Sequence, residues 1–276
     1  HLSGYDLSLD DIKAFRQWGS KTPGHPETGL TPGVEITAGP LGNGFAHAVG
    51  MALASRMCGA RFADDQGTLV DSRVFLLASD GDLMEGVSCE AASLAGHLKL
   101  GNLICVWDDN KITIDGSTDL AFTEDVVKRF EAYGFGTVAV DGHDRDALRQ
   151  ALAKAMEDPS RPWLIDSRTK IAYGSPGKEG TCDSHGDPLG PEEVKATKKC
   201  YGWPVDAEFL VPDDVQEAFG AMAARGKQAR EAWDKRVARY REDARKARQW
   251  DEFWSRQVPS DLLQTTCQAL ADAGTL

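Results

Sequence analysis

Along most of this chain, short apolar runs alternate with stretches whose apolar residues recur every three or four positions. Val74-Phe75-Leu76-Leu77-Ala78 is the clearest run and suits a buried parallel strand. Beyond it, Val87, Ala91, Leu94, Ala95 and Leu98 share one face of a helix. Leu103 to Trp107 predicts a second buried strand. A polar, helix-forming segment over 119–133 leads to a third strand, Phe135 to Asp141. Leu148, Leu152 and Met156 mark an amphipathic helix over Asp144 to Met156, and a fourth strand covers Pro162 to Thr169. Upstream, Leu9, Ile12, Phe15 and Trp18 predict a short helix over 8–18, and a helix of small residues starts at Gly44. This alternation means βαβ units with right-handed crossovers. The predicted fold class is α/β: three layers, αβα, around a mainly parallel sheet.

Turn chemistry places the loops. Thr22 to Glu27, the tight turn Gly39-Pro40-Leu41-Gly42, and the Gly-rich 170–191 all break the periodic pattern. The last is too long for a simple connection and favours a functional loop. Near Gly202 the pattern changes. Residues 221–256 become rich in Arg, Lys, Ala and Glu, which reads as long surface helices. The expected organisation is an α/β domain over 1–203 and an extended, helical connector over 204–276.

The chain has 276 residues, 41% hydrophobic and 27% charged, which fits an ordinary globular protein. Its net charge of −12 argues against a nucleic-acid partner. No apolar run reaches transmembrane length, so no membrane is expected. The six cysteines are scattered with no C-x-x-C pair and read as reduced thiols, which predicts a cytoplasmic location. The chain opens at His1 in mid-pattern, so the α/β domain is expected to continue upstream.

Candidate chemistry gathers where two predicted strands end. Asp80-Gly81 follows the first run, and Asp108, Asp109 and Asn110 follow the second. Open α/β sheets bind ligands at that carboxyl edge. Asp80, Asn110 and a carbonyl of the following turn are too few oxygens for a calcium cage. They suit Mg2+, which keeps waters and takes further ligands from phosphates. Gly81 would let a phosphate approach the backbone, with a helix start just beyond it offering free N–H groups. The plainer alternative is an Asp-Gly turn or N-cap. His25 and His185 are loop histidines without an apolar setting, and each has a plain surface reading; His47 reads as structural.

Asp80-Gly81 followed one helix and one strand later by Asn110 resembles the thiamine diphosphate motif, with Ser79 where that motif usually opens on Gly. EAASLAGHLKLGNLI, DDNKITIDG, GSKTPGHPE, GPLG and SHGDPLG resemble the transketolase family specifically, over nearly the whole chain. The resemblance implies thiamine diphosphate and Mg2+, with Ca2+ or Mn2+ as substitutes. It implies Asp80, Asn110 and the Ile112 carbonyl as metal ligands, and Gly81 facing the diphosphate. Gly39, Pro40 and Leu41 would line the cofactor's rings, and Ile114 and Ile171 would lie near the thiazolium. His25 would touch the substrate and His185 the diphosphate. Cys182 departs from the family, which often has a histidine there. Glu85 would meet its counterpart across a dimer.

The implied activity is transfer of a two-carbon ketol unit from a ketose phosphate such as xylulose 5-phosphate to ribose 5-phosphate or erythrose 4-phosphate, in the pentose phosphate pathway. The implied partner is the pyrimidine domain of a second subunit, in a homodimer or a complex with a complementary chain. That domain would bring the glutamate that activates the cofactor. A dihydroxyacetone synthase-like enzyme and a non-catalytic subunit on the same fold are the alternatives.

Overall fold

The computed structural model describes residues 1–258 and 260–274. In chain order the elements are α1 (Leu9–Lys13), α2 (Asn43–Arg61), β1 (Ala63–Asp64), β2 (Gly67–Thr68), β3 (Val74–Ser79), α3 (Asp80–Met84), α4 (Gly86–His97), β4 (Leu103–Asp109), α5 (Val126–Tyr133), β5 (Gly136–Asp141), α6 (Arg145–Glu157), β6 (Trp163–Arg168), α7 (Pro191–Cys200), α8 (Asp213–Tyr240), α9 (Ala244–Trp254) and α10 (Leu262–Asp272). Two compact units form: His1–Cys58 with Val70–Ala223, and Gly59–Leu69 with Ala224–Leu276. The first unit runs past the boundary expected at 203, and the second takes in a segment from the first half of the chain.

The first unit is built on a four-stranded parallel sheet in the order β3-β4-β6-β5. The chain leaves β4 for the far edge at β5 and returns to place β6 between them. One face carries the larger core, where Val74, Leu76, Leu103 and Cys105 pack with Phe45 and Ala52 of α2, Ala92 and Ala95 of α4, and Phe130 of α5. On the other face Ile104, Trp163 and Ile165 pack against Ala151 and Ala155 of α6. Leu103, Ile104 and Ile165 are fully buried. Each contributes on the order of 1.5–3 kcal/mol relative to exposure.

The three-layer α/β architecture expected from the pattern is present, and four details differ. β3 buries alternate residues only: Phe75 is 55% and Leu77 82% exposed. It is the edge strand, and α6 packs on β4, β5 and β6 without covering it. The buried face of α4 is Ser88, Ala92 and Ala95, so Val87 and Leu94 turn outward. Small residues let α4 sit close to the sheet, and of the expected face Ala91, Ala95 and Leu98 do pack on the core. On α6 the buried residues are Ala151 and Ala155, with Leu148 and Leu152 beside them and Met156 exposed. The helix expected over 8–18 ends at Lys13. Ser8 and Asp11 form a capping box that starts it. Arg16 then takes a left-handed φ of 61° and donates its N–H to the Thr22 carbonyl. Phe15 and Trp18 are left exposed.

The second unit has β1 and β2 paired as a small antiparallel hairpin beside helical segments. Its core is aromatic. Phe62 is fully buried, with edge contacts to Trp250 at 4.9 Å and Phe253 at 5.2 Å. The Trp233 indole N–H donates to the Leu69 carbonyl at 2.8 Å. Among the described residues no helix is long and apolar enough to cross a membrane.

Candidate functional site

Sheet register sets the site. Ser79 pairs with Asp108 across β3 and β4, and Asp109 pairs with Arg168 across β4 and β6. The carboxyl ends of three strands therefore stop at one level. The sequence places the helix start beyond Gly81, whereas Asp80 opens the short helix α3 directly. Ser79 is its N-cap: the Ser79 hydroxyl accepts the Asp82 N–H at 3.2 Å, and Asp82 Oδ2 accepts the Ser79 N–H at 2.9 Å. The Asp-Gly pair thus opens a capped helix directly at the end of β3.

Asp80 is only 2% exposed. Its Oδ1 accepts the Trp107 indole N–H at 3.3 Å, and its Oδ2 accepts the Lys111 main-chain N–H at 3.0 Å. Burial, and then the charge of Asp109 nearby, push its pKa up to about 6. Asp80 forms no ion pair among the described residues. A buried carboxylate held against its own desolvation suits a divalent cation, whose charge would favour the ionised form. Asn110 is oriented on both sides. Its Nδ2 donates to Asp108 Oδ2 at 2.9 Å, and its Oδ1 accepts the Ile112 N–H at 2.9 Å. Lys111 between them takes a left-handed φ of 63°, and its Nζ lies 2.7 Å from Asp109. Such strained turns gather at ligand sites. Asp166 of β6 is buried beside Asp109, and its pKa is raised by burial and by that neighbour. No three His, Cys, Asp or Glu side chains are placed to hold a metal among the described residues. The side-chain oxygens on this edge belong to Asp80, Asp108, Asp109, Asn110 and Asp166.

The Gly39–Gly42 turn packs on this edge. A Cβ on Gly81 would lie 3.0 Å from Leu41, and one on Gly39 would lie 3.4 Å from the His25 ring. The Gly42 N–H donates to Asp82 Oδ1 at 2.9 Å. Gly42 has φ 75°, and a Cβ there would come within 2.8 Å of Glu85 and Ser88. His25, Gly39, Leu41, Gly81 and Asp80 are therefore brought together, and Pro40 lies within the same turn. Glu85 links α3 to α4; it is exposed, its main-chain N–H donates to the Asp82 carbonyl at 3.3 Å, and its side chain caps neither helix.

The remaining candidates stand on turns. Ile114 is exposed at the tip of the Thr113–Gly116 turn. Ile171 is half-buried, and its carbonyl accepts the Gly180 N–H at 2.9 Å. His185 is exposed and closes a 3-10 turn with Cys182. No hydrogen bond ties Ile114 or His185 to Asp80 among the described residues. Two residues that hold the site escape the sequence reading. Asp82 was detectable from the Ser79-x-x-Asp82 capping spacing. Trp107, Asp80's indole donor, reads from sequence only as a buried strand residue.

A parallel α/β sheet with buried carboxylates gathered at its carboxyl edge is the class that this geometry defines, and the comparisons with known proteins say which family of that class it is. The family described as transketolase, thiamine diphosphate binding domain, matches residues 1–259. The chain belongs to that family. It is 51% identical over 242 residues to a transketolase of Geobacillus stearothermophilus, covering 87% of this chain and 36% of that one. A solved Leishmania mexicana transketolase is 41% identical with a TM-score of 0.90, covering 94% of this chain and 39% of that one. A Pichia stipitis transketolase solved with sedoheptulose-7-phosphate is 44% identical with a TM-score of 0.84, covering 87% and 36%. The chain thus spans about a third of the length of these relatives.

Proposed function

We propose that this chain holds the diphosphate and the metal ion in a transketolase that moves a two-carbon ketol unit from a ketose phosphate to an aldose phosphate. Xylulose 5-phosphate is the donor, and ribose 5-phosphate or erythrose 4-phosphate the acceptor. The observation that carries this is the meeting of buried Asp80 and of Gly81 with Leu41 at the sheet's carboxyl edge, with Asn110 directly following the adjacent strand. The Pichia stipitis enzyme solved with a sugar phosphate supports the substrate class.

Asp80, the Asn110 amide oxygen and the Ile112 carbonyl would hold Mg2+. That ion keeps waters and phosphate oxygens in its remaining positions. Thiamine diphosphate, when bound, supplies the carbon nucleophile and the electron sink. Leu41 offers an apolar support, and Gly39 and Pro40 fix the turn that carries it. Gly81 leaves room for an anion beside the backbone, and Ile114 and Ile171 add apolar contacts. His25 would orient substrate oxygens by hydrogen bonding, and His185 would donate to the diphosphate. Glu85 would meet a second subunit, whose pyrimidine domain completes the site in a cytoplasmic homodimer or a complex with a complementary chain.

The test is calorimetric titration of thiamine diphosphate into the chain, with Mg2+ and with EDTA. Binding that needs Mg2+ and vanishes in Asp80→Ala is the expected result. No binding, even after a pyrimidine-domain partner is added, would sink the reading. The isolated chain is expected to show little or no turnover of xylulose 5-phosphate with ribose 5-phosphate, and brisk turnover by the rigorously purified chain would contradict the division of labour proposed here.

A further inference from the structure

Beyond β6 the chain leaves the sheet, and its backbone donors lose their strand partners. The Thr169 N–H still reaches the Asp109 carbonyl at 3.2 Å. The next donor, the Lys170 N–H, has no strand carbonyl to meet. It donates instead to His143 Nε2 at 3.0 Å. His143 sits in the turn between β5 and α6, its own N–H held by Asp141 Oδ1 at 2.9 Å. Its ring stacks on Tyr173, with centroids 3.8 Å apart and planes 19° apart. One imidazole therefore grips the segment on both sides of Ile171, by a hydrogen bond at Lys170 and a ring face at Tyr173. An Nε2 that accepts must be unprotonated, which puts the ring's proton on Nδ1.

The rest of the segment is held from within. Glu179 accepts the Gly174 N–H at 2.8 Å and the Lys170 ammonium at 3.0 Å. Ala172 takes a left-handed φ of 50°. That conformation is unfavourable for a residue with a Cβ, so it needs anchors on either side to persist.

We infer that His143 is a positioning residue: as a neutral Nδ1–H tautomer it latches the segment from Lys170 to Tyr173 to the carboxyl edge of the sheet, and so sets where Ile171 stands toward the cofactor. The cofactor part of this rests on the proposed function; the latch itself rests on the geometry alone.

Two substitutions separate the roles of the ring. His143→Phe keeps the stacking face and removes the acceptor. His143→Gln supplies an amide oxygen as acceptor. Amide hydrogen exchange over 170–174 and calorimetric titration of thiamine diphosphate with Mg2+ are measured on the full chain and both variants, with 15N shifts of the wild-type imidazole read alongside. In His143→Phe, exchange at Lys170 is expected to rise and cofactor affinity to fall, each by roughly five- to tenfold, the scale of one lost neutral hydrogen bond. His143→Gln is expected to recover most of both, and the imidazole to show the Nδ1–H pattern. Unchanged Lys170 exchange in His143→Phe, or an Nε2–H tautomer, overturns the latch. Raised exchange with unchanged cofactor affinity overturns the positioning role alone. A wild-type chain that binds no cofactor, even with a pyrimidine-domain partner added, overturns the functional reading and the positioning with it, and the exchange result still decides the latch.

Discussion

Asp80 is both the residue on which the site turns and one that the fold holds at a cost. The folded chain keeps its proton more tightly than the unfolded chain, because burial and Asp109 raise the pKa from 3.8 to about 6. Its contribution to stability is therefore greatest below about pH 4, falls as the pH rises toward 6, and levels off above. Asp80→Asn does not titrate there. Urea unfolding of both chains at pH 4 and pH 7 should show the wild type losing up to about 3 kcal/mol relative to the variant over that interval. An equal pH dependence in the two would mean that Asp80 is already ionised at pH 4. Gly42 is the second telling residue. Gly42→Ala combines a left-handed φ with contacts of 2.8 Å to Glu85 and Ser88, so the turn must move. Thiamine diphosphate affinity should drop at least tenfold while far-UV circular dichroism stays near wild type. Undiminished affinity would detach the Gly39–Gly42 turn from the site. Asp80 and Asn110 were legible in the sequence because oxygen donors stood at the ends of two apolar runs. Trp107 was not, because its indole reaches Asp80 across two strands, and only the sheet register brings the two within hydrogen-bond distance.

Among the elements, strands were read better than faces. All four sheet strands lie where apolar runs predict them, since a run of β-branched and large apolar residues has few other places to go. The faces of α4 and α6 were read in part: Ala91 and Ala95 of α4, Leu98 at its end, and Leu148 and Leu152 of α6 pack on the cores, while Val87, Leu94 and Met156 turn outward. Alanine and serine bury more completely than leucine where a helix must lie close to a sheet, and periodicity weighted by hydrophobicity undervalues them. The 8–18 helix failed differently: an apolar stripe with no surface to cover does not carry a helix past its cap. The turn-rich 170–191 stretch was legible as a long loop from its composition. Its anchoring was not, because His143 belongs to another βα turn, and a lone histidine between Gly142 and Asp144 gives no sign of what it accepts.

For the molecule as a whole, one unit carries a four-stranded sheet, two cores and the residues that would hold metal and diphosphate, and the chain spans about a third of its relatives' length. The aromatic core of the second unit could not be foreseen from sequence. Phe62 and Trp250 lie far apart in the chain, and nothing local in either segment predicts the partner.

The uncovered side of β3 bears on how this chain behaves in a tube. Phe75 and Leu77 present large apolar surface on a strand with one neighbour in the sheet, which is the pattern that recruits another strand. The purified chain should therefore show sedimentation that depends on protein concentration, and Leu77→Lys should suppress it without altering the melting temperature by more than a few degrees. If the variant associates as strongly as the wild type, the sticky surface lies elsewhere. If it does not, a single lysine on that edge is a practical route to the concentrations that calorimetry and NMR require.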